Sequence, residues 1–97
     1  MTFSFDDRVK LPDDVLVSGL QAESVLLNLD NERYYGLNEV GTRMLTVLTS
    51  SDSIGAAYNS LLDEYQVEAE VLRRDLISTI EQLAKNGLVE IVSGATA

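Results

Sequence analysis

Between residues 24 and 37 apolar and polar positions alternate, and beyond residue 38 the period lengthens. Val25, Leu27 and Leu29 fall on every second position, Asp30-Asn31-Glu32 supplies turn chemistry, and Tyr35 and Leu37 resume the alternation. In an extended chain successive side chains point to opposite faces, so this stretch predicts a β-hairpin with one apolar face. Its strands fall at residues 24–29 and 33–37. Gly36, inside the second, marks a bulge or the close approach of another backbone. Asn38 offers an N-cap oxygen to a helix over residues 39–48 that carries Val40, Met44, Leu45, Val47 and Leu48.

Upstream, residues 1–14 are polar and hold the sole proline, Pro12, beside Asp13-Asp14. They read as a short strand or an extended arm leading into Val15-Leu16-Val17. Ser18-Gly19 interrupts that strand, and Gln21-Ala22-Glu23 turns the chain into the hairpin. Downstream, Thr49-Ser50-Ser51 stops the first helix and Ser53 caps a second, with Ile54, Ala57, Tyr58, Leu61 and Leu62 at helical spacing. A third helix begins near Glu68, keeps Glu70 in its first turn, and ends at Lys85-Asn86-Gly87, where glycine suits the left-handed position after a helix. Residues 88–92 form a short strand, and residues 93–97 are expected to fray. The order predicts an α+β fold: a three-stranded antiparallel sheet, then three helices, then a short C-terminal strand. Residues 1–97 are expected to form a single domain, with its core over about 15–92.

The third helix presents Leu72, Leu76, Ile80 and Leu83 as one stripe, and Arg73, Ile77 and Ala84 widen it on one side. The apolar arc then spans about 140°, more than one buried edge requires. Arg73 within it either snorkels at the surface or offers its head to an acidic partner. Tyr34 and Tyr35 must face opposite sides of their strand. They are ordinary strand tyrosines, or they flank a sheet edge that accepts a guest strand.

Charge narrows the partners. Lys and Arg number 7 against 16 Asp and Glu, a net charge of −9. Arg73-Arg74 is the lone basic pair, so no nucleic-acid footprint is expected. The chain has no cysteine and no histidine, which removes thiolate nucleophiles, imidazole bases, disulfides and most zinc or copper chemistry. Asp6-Asp7 and Asp13-Asp14 are adjacent pairs whose carboxylates diverge in an extended chain. Asp30-Asn31-Glu32 lacks the spaced ligands and central glycine of a calcium loop. Neither a catalytic role, a metal nor a cofactor is expected. Residues 1–10 lack the apolar run of a signal peptide, and nothing approaches transmembrane length, so a cytoplasmic protein without membrane contact is expected.

Leu26-Leu27-Asn28-Leu29-Asp30, Arg33-Tyr34-Tyr35-Gly36-Leu37-Asn38, Gly41, Asp75-Leu76, Leu83 and Gly87-Leu88-Val89, taken in order, resemble the PqqD-like family. Its members are recognition elements for ribosomally made, post-translationally modified peptides, and the resemblance covers about residues 15–92. The Tyr-Tyr-Gly-Leu-Asn form is most similar to the stand-alone recognition proteins of lasso-peptide pathways; a PQQ-pathway peptide chaperone is the neighbouring alternative. The resemblance implies a winged-helix-like fold in which a precursor's leader peptide adds as a strand between the third strand and the third helix. Carried onto this chain, that peptide-binding cleft comprises Tyr34, Tyr35, Gly36 and Leu37 opposite Arg73, Leu76, Ile77, Ile80 and Ala84. Asp75 matches an acidic position of the family without an assigned role. The implied second partner is a processing enzyme, a leader peptidase of the cysteine-protease type or another modifying enzyme. Two other readings stay open: a winged-helix DNA-binding regulator using Arg73-Arg74, and an adaptor whose second copy covers the strand edge. A monomer or weak homodimer is expected.

Overall fold

A computed structural model describes residues 3–20 and 23–93. Strands β1 (Arg8–Lys10), β2 (Val15–Leu20), β3 (Glu23–Asn28) and β4 (Tyr34–Leu37) precede helices α1 (Glu39–Ser50), α2 (Ile54–Glu64) and α3 (Ala69–Lys85), and β5 (Glu90–Val92) follows. The expected turn at Gln21-Ala22 and the expected fraying of residues 94–97 lie outside the described residues.

Two antiparallel sheets form. The larger has the order β2-β3-β4, and β1 pairs with β5 in a two-stranded ribbon. Arg8, Val9 and Lys10 face Val92, Ile91 and Glu90, and Val9 is buried there. Of the two readings of residues 1–14, the short strand holds at Arg8–Lys10. Its pairing was not expected, since its partner lies some eighty residues away in sequence.

The face of the hairpin differs from the expectation. Leu26 is fully buried, with Ser24, Asn28 and Leu37 buried and Tyr35 half-buried on the same side. Val25 and Leu29, expected to point inward, are 41% and 53% exposed. The register pairs Leu26 with Tyr35 and Ser24 with Leu37. Strand faces exchange on a one-residue slip, and Val-Leu-Leu-Asn-Leu offers apolar residues to both. What settles the choice is that the polar inward residues find partners. Ser24 Oγ and Thr42 Oγ1 share a hydrogen bond of 2.8 Å. The Asn28 amide donates to the Gly87 carbonyl (2.8 Å), and its Oδ1 accepts from the Asp30 and Asn31 N–H groups. Burying a polar group is tolerable when it is satisfied in this way.

The helices start and stop where local chemistry places them. Asn38 Oδ1 accepts from Gly41 N–H, and Ser53 Oγ accepts from Ala56 N–H. The Ile54 and Gly55 N–H groups at the head of α2 donate to the carbonyls of Asp7 and Phe5, so the N-terminal segment caps this helix with its backbone. Gly87, at φ 70°, closes α3: its N–H donates to Ala84 and the Leu88 N–H to Leu83. One core joins Leu26 and Leu37 of the sheet, Met44, Leu45 and Leu48 of α1, Ile54 and Leu61 of α2, and Leu72, Leu76, Ile80 and Leu83 of α3. At the surface the Arg43 guanidinium grips Glu64 with donors at 2.6–3.0 Å, tying α1 to α2. Its hydrogen bonds and charge hold the Glu64 carboxyl below the usual carboxylate range.

Candidate functional site

β4 borders the sheet, and its outer margin pairs with no strand among the described residues. Antiparallel partners alternate between pairs that exchange hydrogen bonds and pairs that do not. The Asn28 N–H donates to the Arg33 carbonyl at 2.8 Å, which makes Arg33, Tyr35 and Leu37 the residues bonded to β3. The N–H and C=O groups of Tyr34 and Gly36 therefore point away from the sheet. They are a short row of donors and acceptors that no described strand pairs.

Across from this margin runs α3. Between them lies a cleft of about 300 Å³, lined by Tyr35, Gly36, Leu37 and Asn38 from the strand side and Asp75, Ser78, Thr79 and Gln82 from α3. Val40, Gly41 and Met44 of α1 close one end. The Tyr35 hydroxyl donates to Gln82 Oε1 at 3.2 Å, bridging strand and helix. Thr79 Oγ1 donates to the Asp75 carbonyl, which fixes its methyl and hydroxyl against the helix. Beyond Gln82 the trough continues into a depression lined by Arg33, Ser78, Glu81, Lys85 and Asn86. Asp75 stands toward one end, and Arg33 and Lys85, with the acid Glu81 among them, toward the other.

Of the residues expected at the cleft, the structure brings Tyr35, Gly36 and Leu37 to it. Tyr34 sits on the same strand but faces the opposite side of the sheet, 76% exposed. Leu76 and Ile80 are wholly inside the core. Arg73, Ile77 and Ala84 lie on the other flank of the buried stripe: at 100° per residue they are about half a turn from Asp75, Ser78 and Gln82. Ile77 and Ala84 pack partly buried against the core there, and the Arg73 guanidinium lies 5.0 Å from the centre of the Phe5 ring. Phe5 in turn meets Tyr58 edge-on at 5.7 Å. The wide apolar arc of α3 is thus met in part by the chain's own N-terminal segment. Asp75, Ser78, Thr79 and Gln82, which reading the sequence left out of the cleft, recur at i, i+3, i+4 and i+7. That spacing was their one available signal.

The opposite face of the sheet is unusually apolar. Leu16, Leu27 and Tyr34 form one row across β2, β3 and β4, with Val25 and Leu29 beside it. Leu16 is 53% exposed and Leu27 half-buried. The charged groups among these rows are Asp14, whose carbonyl accepts from the Leu29 N–H, and Glu23. Both are acids.

The geometry defines a small α+β domain with a vacant strand margin beside a polar helix flank. Among the described residues no group of acidic side chains is placed to hold a metal ion, and no helix is long and apolar enough to cross a membrane. Residues 23–89 match the family described as Coenzyme PQQ synthesis protein D (PqqD), and the chain belongs to that family. No curated protein matches it. Among solved structures it is similar to TbiB1 in complex with the TbiA(beta) leader peptide, with 30% identity, 91% of this chain and 98% of that chain covered, and a TM-score of 0.77. It also shares its fold with a lasso peptide synthetase B1 complexed with the leader peptide, at 24% identity, 86% and 98% coverage, and a TM-score of 0.76.

Proposed function

We propose that this protein binds the leader segment of a ribosomally made precursor peptide as an added strand on β4, without performing chemistry itself. The observation that carries the reading is the outward row of Tyr34 and Gly36 backbone groups, placed across a cleft from Asp75, Ser78, Thr79 and Gln82. A guest strand there would pair its backbone with β4 and alternate its side chains between the cleft and the outer sheet face. The 30% identical TbiB1, solved with a leader peptide, supports this choice of guest. The Tyr-Tyr-Gly-Leu-Asn run favours a lasso-type precursor over a PQQ-type one. Duplex DNA is disfavoured by the net charge of −9 and by the engagement of Arg73 with Phe5.

Main-chain pairing with two or three side-chain anchors supports a Kd of about 1 µM, near −8 kcal/mol, after ordering costs. Calorimetric titration with a synthetic leader peptide of its cognate precursor checks it. Saturation in the low micromolar range or tighter is expected. Absence of saturable binding below about 100 µM would refute leader recognition.

The bound leader is delivered to a processing enzyme, most simply a leader peptidase of the cysteine-protease type, which docks on the outer sheet face. On the part of that face away from the vacant margin, Leu16, Leu27 and Leu29 supply an apolar centre, and the acids Asp14 and Glu23 select a partner surface with a basic margin. A Leu16→Lys variant is expected to keep its leader affinity while leader removal by that enzyme slows at least tenfold, since it buries an unpaired charge at the contact. An unaltered removal rate would place the docking surface elsewhere.

A further inference from the structure

Gly36 is the gap in the outer row beside Tyr34. Ser18, Val25 and Gly36 are successive cross-strand partners, so all three lie on the outer face of the sheet. Where β4 lacks a side chain, this face sinks into a depression of about 370 Å³ lined by Val25, Gly36 and Leu37 together with the polar Ser18, Glu23, Ser24 and Asn38. Val25 is 41% exposed, and apart from the adjoining residues nothing stands within 4 Å of a Cβ built on Gly36. The depression abuts the vacant margin, and a guest strand would run along its rim.

We propose that this depression is a specificity pocket for the guest, taking one large apolar or aromatic side chain from the residue paired with Gly36. The inference rests on the leader reading above and adds which feature of the leader is recognised. A guest residue opposite Gly36 points to the same face as Gly36, whichever direction the guest runs. Adjacent strands stand about 4.8 Å apart, so its Cα lies about 10 Å from Val25, with nothing but the glycine between. A small side chain leaves that space open to water. A long or aromatic one lies across the glycine onto Val25 and meets the Tyr34 ring diagonally, as aromatic residues cover glycines on neighbouring strands in sheets. The same arrangement accounts for a tyrosine kept so exposed at position 34.

The test is an exchange of preference. Each residue of the synthetic leader is replaced in turn by alanine, and the series is titrated against the wild type and against Gly36→Val, whose fold is checked by circular dichroism. Valine would place its methyl groups in the depression, and its Cβ has room there, with nothing beyond the adjoining residues within 4 Å. At one leader position, alanine should weaken binding to the wild type at least tenfold, while Gly36→Val should prefer the alanine peptide to the original. The same sensitivities in both proteins at every position would overturn the pocket, as would a folded Gly36→Val that binds no peptide of the series while the wild type binds. Failure of the wild type to bind the unsubstituted leader would instead remove the parent reading, and this inference with it.

Discussion

Gly36→Pro is expected to abolish leader binding while leaving the fold intact. The Gly36 N–H points to the open margin of β4, because the bonds to β3 come from Arg33, Tyr35 and Leu37. Proline therefore breaks no existing ladder bond, and edge strands tolerate it where its missing N–H faces outward. The preceding residue, Tyr35, is already extended, as proline demands of its neighbour. On the guest side the loss is twofold: a main-chain donor disappears, and the ring blocks close approach of another backbone. Together these are worth about 2–3 kcal/mol, or roughly a hundredfold in Kd. Calorimetry and a thermal melt on the same sample decide it. Unchanged affinity in a folded variant would mean that the guest does not pair with β4.

The other large effect is expected at Asn28. This buried side chain joins three places: it donates to the Gly87 carbonyl beyond α3 and accepts from Asp30 and Asn31 in the turn before β4. It is the pin between helix end and strand turn that sets how far β4 stands from α3. Asn28→Asp keeps the acceptor but turns the donor into an oxygen facing a carbonyl. A buried donor is lost and an unpaired charge introduced, a cost of about 2–4 kcal/mol at neutral pH. Burial and the facing carbonyl raise the pKa of the new carboxyl in the folded state, so the deficit should shrink as pH falls and the protonated acid donates again. Urea denaturation at pH 7 and at acidic pH, each against the wild type, measures this. A deficit independent of pH would remove the donor to Gly87 as the cause.

Features with local causes were legible in the sequence. Asn38, Ser53 and Gly87 announced the ends of α1, α2 and α3 because capping chemistry acts within a few residues. The stripe Leu72, Leu76, Ile80 and Leu83 is buried as its spacing required. The hairpin was legible as a hairpin, but its inward face was not. Choosing Leu26 over Val25 depended on Gly87 and Thr42, distant residues that satisfy Asn28 and Ser24. The pairing of β1 with β5 was hidden for the same reason. At the candidate site, the strand half could be read from Tyr35, Gly36 and Leu37. The helix half could not, because a helical period shows which stripe is buried and not which flank meets the sheet. Here the flank with Arg73 and Ile77 turns toward the N-terminal segment, where Phe5 meets the arginine, and the flank with Asp75 and Gln82 is left to β4.

A margin left free for a visitor is also an invitation to every stray extended chain, including another molecule of the same kind. β4 limits the hazard by its brevity: four residues give a copy little to grasp, and filament growth needs a longer template. Nine net negative charges add mutual repulsion between copies. The acidity of the chain thus has a use apart from any ligand: it opposes the approach of a second copy to an unfinished sheet.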